Sequence, residues 1–287
     1  MATAHEDDPL TMRLSSMTDR SRARAIGWAC ALVLGTLAFA VVLQITDPPA
    51  PVLDPDSVSY IGNAESLVAR HEFRTPTQSW WSPDSTRPLT HFPPGFSTLI
   101  AIPTALGMPP VQASRLVNAL AAFVTMTTLV LLMIEASAPL VGLLTGAALL
   151  VMSAMLEVHV SVLSEPVFLA FMSLLLATMV RRPTQALTMG TFAALGTLVR
   201  YVGVSLIGAA VVWSVAQQGP IALRLRRAAL ALVPAVVLQG AWVLRTRRVG
   251  STAAIRRFAL YGDLQPTLTQ GFGTIKAWLV QIGRAHV

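Results

Sequence analysis

The sequence predicts an all-α integral membrane protein of about seven transmembrane helices, with a large first extracytoplasmic loop carrying short amphipathic helices. Three observations carry that prediction. Only 12% of the residues are charged while 54% are hydrophobic, about half the charged share of a soluble domain. Apolar runs of helical length recur along the chain, and a soluble core of this size cannot hide them. The arginines gather at the ends of those runs and not along one face between aromatics. That pattern reads as topology and argues against a nucleic-acid partner, despite a net charge of +7.

Residues 1–25 carry Arg13, Arg20, Arg22 and Arg24, with Glu6, Asp7 and Asp8 further out and no apolar pattern. They read as a disordered cytoplasmic tail. Residues 26–45 form an uncharged run of about 20 residues, enough for one membrane helix. The run is too long for a cleaved signal peptide and no A-x-A site follows it, so it reads as an uncleaved anchor. The arginines before it put the N-terminus in the cytoplasm and the loop at 47–97 outside. Cys30 is the one cysteine. It makes no intrachain disulfide and no cysteine-rich metal site, and reads as a small buried hydrophobe.

Further spans are expected at 111–134, 138–156, 163–180, 184–199, 202–217 and 228–244, completing a transmembrane region over 26–250. The stretch 98–107 is too short to span and reads as a half-buried lead-in. The long run 184–217 is interrupted at Arg200-Tyr201 and is divided there. With seven spans, Arg181, Arg182, Arg224, Arg226 and Arg227 fall inside, while Glu157, His159, Glu165 and Arg200 fall outside. That follows the positive-inside bias. Arg245, Arg247 and Arg248 break it, which points either to a different topology or to anionic ligands. Residues 251–280, with Arg256, Arg257 and Asp263, read as the start of a second outside loop. The ending QIGRAHV (281–287) reads as a translated sequencing adapter, the chain as a fragment inactive alone, and His286 as carrying no weight.

The loop gathers polar residues that the rest of the chain lacks. Asp54-Pro55-Asp56-Ser57 has the form of a helix start, with Asp suited to the cap and Pro to the first turn. Residues 56–70 then read as an amphipathic helix on the membrane surface. Asp56, at its mouth, is either a cap or a general base at the water–lipid boundary. Trp80-Trp81 are interfacial anchors or stacking platforms for sugar rings. His91, in an aromatic-proline loop, orients a substrate or bonds the loop backbone. Glu165 is a helix N-terminal acid or a site residue, and Arg200 a snorkelling cation or a site residue. Asp56, Glu165 and Arg200 share the outer side, which argues for one site there. No zinc-ligand spacing, phosphate loop or Gly-x-Ser-x-Gly elbow is present.

These residues form an ordered series. Asp-Ser-x-x-Tyr (Asp56 to Tyr60) is followed by His-Phe-Pro-Pro-Gly-Phe (His91 to Phe96) and Ala-Ser-Arg-Leu-Val-Asn-Ala-Leu (Ala113 to Leu120). Then come Ser-Glu-Pro-Val-Phe (Ser164 to Phe168), Leu-Val-Arg-Tyr-Val-Gly (Leu198 to Gly203) and Trp242-Val-Leu-Arg245. The series resembles the polytopic GT-C glycosyltransferases, nearest to bacterial members of the protein mannosyltransferase and aminoarabinose-transferase type (families 39 and 83), over residues 26–250. It departs from them in lacking the usual acidic pair, since Ser57 follows Asp56, and in lacking the C-terminal half.

The resemblance implies an inverting sugar transfer from a polyprenyl-phosphate donor to an acceptor hydroxyl, in a bacterial plasma membrane. Asp56 is then the base, Tyr60, His91 and Glu165 contact substrate, and Arg200 and Arg245 stabilise the leaving phosphate. No cofactor is implied beyond the lipid-linked donor and no metal site is assigned. Partners are the donor, a glycan, lipid or protein acceptor, and membrane lipids. The competing classes are a lipid or sugar transporter, which should show an inverted repeat or paired broken helices, a membrane protein whose loop docks a partner, and a metal-dependent phosphotransferase.

Overall fold

The structure, a computed structural model, describes residues 9–47, 51–77, 85–249 and 264–281. The chain divides after Ser251 into two compact units. The first begins with α1 (Pro9–Ile45), α2 (Pro55–Arg70) and a hairpin of β1 (Arg74–Pro76) and β2 (Thr86–Pro88). Next come α3 (Gly95–Ala105), α4 (Pro110–Ala136), α5 (Pro139–Val151), α6 (Ser153–Val160) and α7 (Glu165–Arg181). Then α8 (Ala186–Val199), a 3-10 turn (Tyr201–Gly203), α9 (Val204–Ala216) and α10 (Ile221–Arg248) complete it. The second unit holds α11 (Leu264–Gln281).

Proline sets many of the boundaries. Pro55, Pro110, Pro139 and Pro166 each occupy the first turn of a helix, where the missing N–H costs nothing. The strands pair antiparallel with Thr75 opposite Arg87. Three apolar clusters hold the helices. Ala31, Ala38 and Val42 of α1 meet Ala119, Ala122 and Met126 of α4. Tyr60 and Ala64 of α2 meet Phe96 and Ile100 of α3 and Val167 of α7. Leu175 of α7, Met189 of α8, Leu206 of α9 and Ala231 of α10 form the third. Alanine dominates these contacts because small side chains let helices approach closely where lipid offers no hydrophobic drive.

Three helical stretches are long and apolar enough to cross a membrane: Arg24–Ile45, Pro110–Ala136 and Ile221–Arg248. A fourth arises if α5 and α6, bent by 54° at Met152, count as one span. Large apolar side chains such as Leu140, Val212 and Val236 face outward, which suits lipid as solvent. The chain is built as a membrane protein. Seven full-length spans are not present among the described residues: α7, α8 and α9 have 17, 14 and 13 residues.

Several expectations are corrected. From Pro9 to Ala25 the chain is helix and not a disordered tail, because nothing from Thr11 to Ile26 is Gly or Pro and an existing helix extends at little cost. The expected span 138–156 is broken at Met152. The last span, expected to end at 244, continues as helix to Arg248, so Arg245, Arg247 and Arg248 complete the last turn of α10. Within 251–280, residues 264–280 are helical. The buried face of α2 mixes small and polar residues with one aromatic, Ser57, Tyr60, Asn63 and Ala64 lying inside and Val58 outside, so no continuous apolar stripe faces inward. The N-cap of α2 is Asp54, which places Asp56 one residue inside the helix. Glu6, Asp7, Asp8, Trp80, Trp81, Arg256, Arg257, Asp263 and residues 282–287 lie outside the described residues.

Helices α8 and α10 meet at backbone contact. A Cβ built on Gly190 would overlap the Ala231 carbonyl oxygen, whereas one on Gly208 meets nothing within 4 Å. Gly190→Leu should therefore destabilise the chain by about 1–3 kcal/mol or more, and Gly208→Leu should leave stability within about 0.5 kcal/mol. Thermal melts of the two variants in the same detergent check this, and equal melting temperatures would refute the close crossing.

Candidate functional site

The site is built around the irregular segment Ser161–Ser164 between α6 and α7. A buried backbone outside regular structure must find partners for its polar groups, and here the loop supplies them. Val52 pairs with the segment in a parallel bridge, its N–H reaching Val160 O at 3.2 Å and its carbonyl accepting from Val162 N–H at 3.2 Å. Ser57 Oγ donates to Val162 O at 2.9 Å and accepts from the Asp54 N–H at 3.0 Å. Asn118 of α4 donates its Nδ2 to Ser161 O at 3.2 Å.

Ser164 is fully buried and joins two candidate residues. Its hydroxyl shares a hydrogen with Tyr60 Oη at 3.2 Å and accepts from Arg200 Nη1 at 3.3 Å. The same Nη1 pairs with Glu165 Oε1, and 34% of the Arg200 side chain remains exposed. Arg200 can reach both because the chain breaks there. Helix α8 ends at Val199, and Arg200 is extended (φ −144, ψ 134) before the 3-10 turn. The break packs tightly against α3, since a Cβ on Gly95 would lie 2.7 Å from Leu198 O.

Tyr60 stands between the rings of Phe92 and Phe96, each with its centroid 5.0 Å away. Burial pushes the Tyr60 hydroxyl above its ordinary value. The Ser164 hydrogen bond opposes this, the negative charge of Asp56 adds to it, Arg200 opposes it and Glu165 adds to it. Asp56, Glu165 and Arg200 thus all act on one buried hydroxyl. Asp56 is exposed in the first turn of α2.

The structure therefore brings Asp56, Tyr60, Glu165 and Arg200 together. His91 stands one ring away, exposed and edge-on to Phe92 at 4.8 Å. Arg245 lies apart from the group. Its Nη1 and Nη2 donate to the carbonyls of Leu89 and Phe73 at 2.6 and 2.8 Å. Sequence reasoning missed Ser57, Asn118 and Ser164 as the connecting groups. The available signal was small polar residues within or beside apolar runs, Ser57 and Ser164 at helix starts and Asn118 in the third turn of α4.

A cavity of about 390 Å³ lies between α3, α4 and α7. Leu99 and Ile102, Leu116 and Leu120, and Val167 and Phe171 line it, so its wall is almost wholly apolar. Val167, one of its lining residues, also belongs to the apolar cluster around Tyr60. Among the described residues no three His, Cys, Asp or Glu side chains gather as metal ligands. The arrangement offers an exposed carboxylate, a part-exposed guanidinium and an apolar groove. No protein-family model, curated protein or solved structure matches this chain.

The raised Tyr60 ionisation has a stability consequence. The folded value exceeds the unfolded value of about 10, so the native state holds this proton more tightly. The stabilisation is fully present below about pH 10 and is lost as pH rises through the folded value. The wild-type melting temperature should therefore fall more steeply above about pH 10 than that of Tyr60→Phe. Parallel slopes for the two proteins would remove this coupling.

Proposed function

We propose that this chain is a GT-C type glycosyltransferase that moves a sugar from a polyprenyl-phosphate donor to an acceptor hydroxyl at the extracytoplasmic face of a bacterial plasma membrane. The observation that carries the reading is that α7 bears the Glu165–Arg200 pair at its start and, from Val167 on, lines an apolar groove. An amphiphile with an anionic head and a long hydrocarbon tail matches both parts. The tail follows Val167 and Phe171, and the phosphate meets the exposed part of Arg200. In this reading the anomeric carbon sits near the mouth of α2, where Asp56 takes the acceptor proton as the hydroxyl attacks in line with the departing phosphate. Arg200 offsets the charge that develops on that phosphate, and Glu165 holds Arg200 in place. His91 and Tyr60 line the acceptor side.

Seven passes are part of the same proposal: the three long stretches, the bent α5–α6 pair, and α7, α8 and α9 as short, tilted or partial spans. The contacts support it, because alternate helix ends meet. The end of α1 meets the start of α4 where Arg115 donates to Leu43 O and pairs with Asp47. The start of α7 meets the end of α8 through the Glu165–Arg200 pair. The arginines of α1 that precede its apolar stretch then orient the N-terminus to the cytoplasm. A lipid or sugar transporter is the second reading, favoured by the broken α5–α6 helix.

Transfer of labelled sugar from several polyprenyl-phosphate donors, measured in membranes from cells expressing the full-length gene, tests the proposal. Asp56→Asn should insert normally and lose about 10²–10⁴-fold in rate. Equal rates for variant and wild type would move the base elsewhere, with Glu165 next. No transfer by wild type with any donor would favour transport.

A further inference from the structure

We propose that Arg245 is a positioning residue, a clamp that closes the mouth of the β1–β2 hairpin against the end of α10. The chain runs into the hairpin at Phe73 and leaves it at Leu89, and these two residues are already joined by the Leu89 N–H to Phe73 O bond at 2.8 Å. Arg245 reaches both sides of that mouth at once, Nη1 to Leu89 O and Nη2 to Phe73 O. Its guanidinium is flanked by the Phe73 ring at 5.2 Å and the Trp242 ring at 4.8 Å. Those rings pack edge to face at 5.4 Å. A planar fork between two aromatic rings suits arginine, and a lysine ammonium, a point charge, cannot reproduce it.

The clamp connects to the candidate site along two paths. Two residues after Leu89, His91 and Phe92 begin the aromatic wall on Tyr60. On the other side, Trp242 Nε1 donates to Tyr201 Oη at 3.2 Å, and Tyr201 follows Arg200 directly. Arg245 therefore sets the separation between the hairpin with its trailing loop and the break that aims Arg200. Both Nη atoms are committed to carbonyls, so direct contact with a phosphate through them would dismantle the clamp. The structural part stands without the transferase reading; only the kinetic part of the test rests on it.

The test places spin labels at Arg87 on β2 and Arg248 at the end of α10, both exposed, in the Cys30→Ala background in lipid nanodiscs. With Arg245 present, the interlabel distance should be single and narrow. Arg245→Met should broaden or shift it, and Arg245→Lys, which keeps charge and most of the stem, should do so too. Should Arg245→Met fail to insert, Arg245→Lys decides. In transfer assays Arg245→Lys should lower kcat about tenfold while KM for the lipid donor stays within about twofold. A distance unchanged in the readable variants overturns the clamp, and an unchanged distance with a raised donor KM makes Arg245 a direct donor ligand. Broadening in a protein whose wild type transfers no sugar supports the clamp and removes the transferase reading.

Discussion

The satisfaction of one buried, irregular backbone segment organises the loop end of the bundle. Helix α7 meets the Ser164 carbonyl through the Phe168 N–H. The other polar groups of Ser161 to Ser164 need partners from outside α6 and α7 or from within the segment, since a lipid-facing position would leave them unpaired at a cost of several kcal/mol each. Val52, Ser57 and Asn118 meet the backbone, while Tyr60 and Arg200 meet the Ser164 hydroxyl. Each bond contributes only about 0.5–1.5 kcal/mol net, but leaving a partner bare costs about 1–3. The loop is thus held against the helices by necessity, and the residues that hold it are also those that assemble the charged cluster.

The arginines show how the same residue type serves two purposes. Those beside helix ends read as topology signals, yet four of them also fasten elements together. Arg115 ties α4 to the end of α1 through Thr46, Leu43 and Asp47. Arg181 pairs with Glu135 at 2.7 Å and stacks near Trp28, joining α7, α4 and α1 at the other end of those helices. Arg200 and Arg245 do the same around the loop. A guanidinium at low dielectric is costly unless its donors are met, so each finds an anion, a carbonyl or an aromatic face.

Much of the architecture was legible because apolar length and proline position are local properties. Helix α4, the short α3 and the break at Arg200-Tyr201 all follow from run length and from the residues that interrupt the runs. The N-terminal extension of α1 and the bend at Met152 were not legible. Residues 9–25 lack the apolar period that marks a helix, although nothing in 11–26 stops one from propagating, and no proline or glycine flags the bend. The candidate site was half legible. Asp56, Tyr60, Glu165 and Arg200 stand out as polar groups at one end of apolar helices, but Ser164 is one serine among many until its burial between Tyr60 and Arg200 is known.

By itself the sequence determined that the chain is helical, suited to lipid, and polar chiefly at helix ends, since these depend on composition and spacing alone. Only the tertiary structure decided which polar ends meet. It joined α2 to the α6–α7 connector 105 residues away through Ser57 and Val162, and it engaged Arg245 with the hairpin and not with the cluster around Tyr60. The physical reason is that a buried donor or acceptor takes whichever partner the packed helices bring within about 3 Å, and that pairing is a property of the packing, which no local pattern encodes.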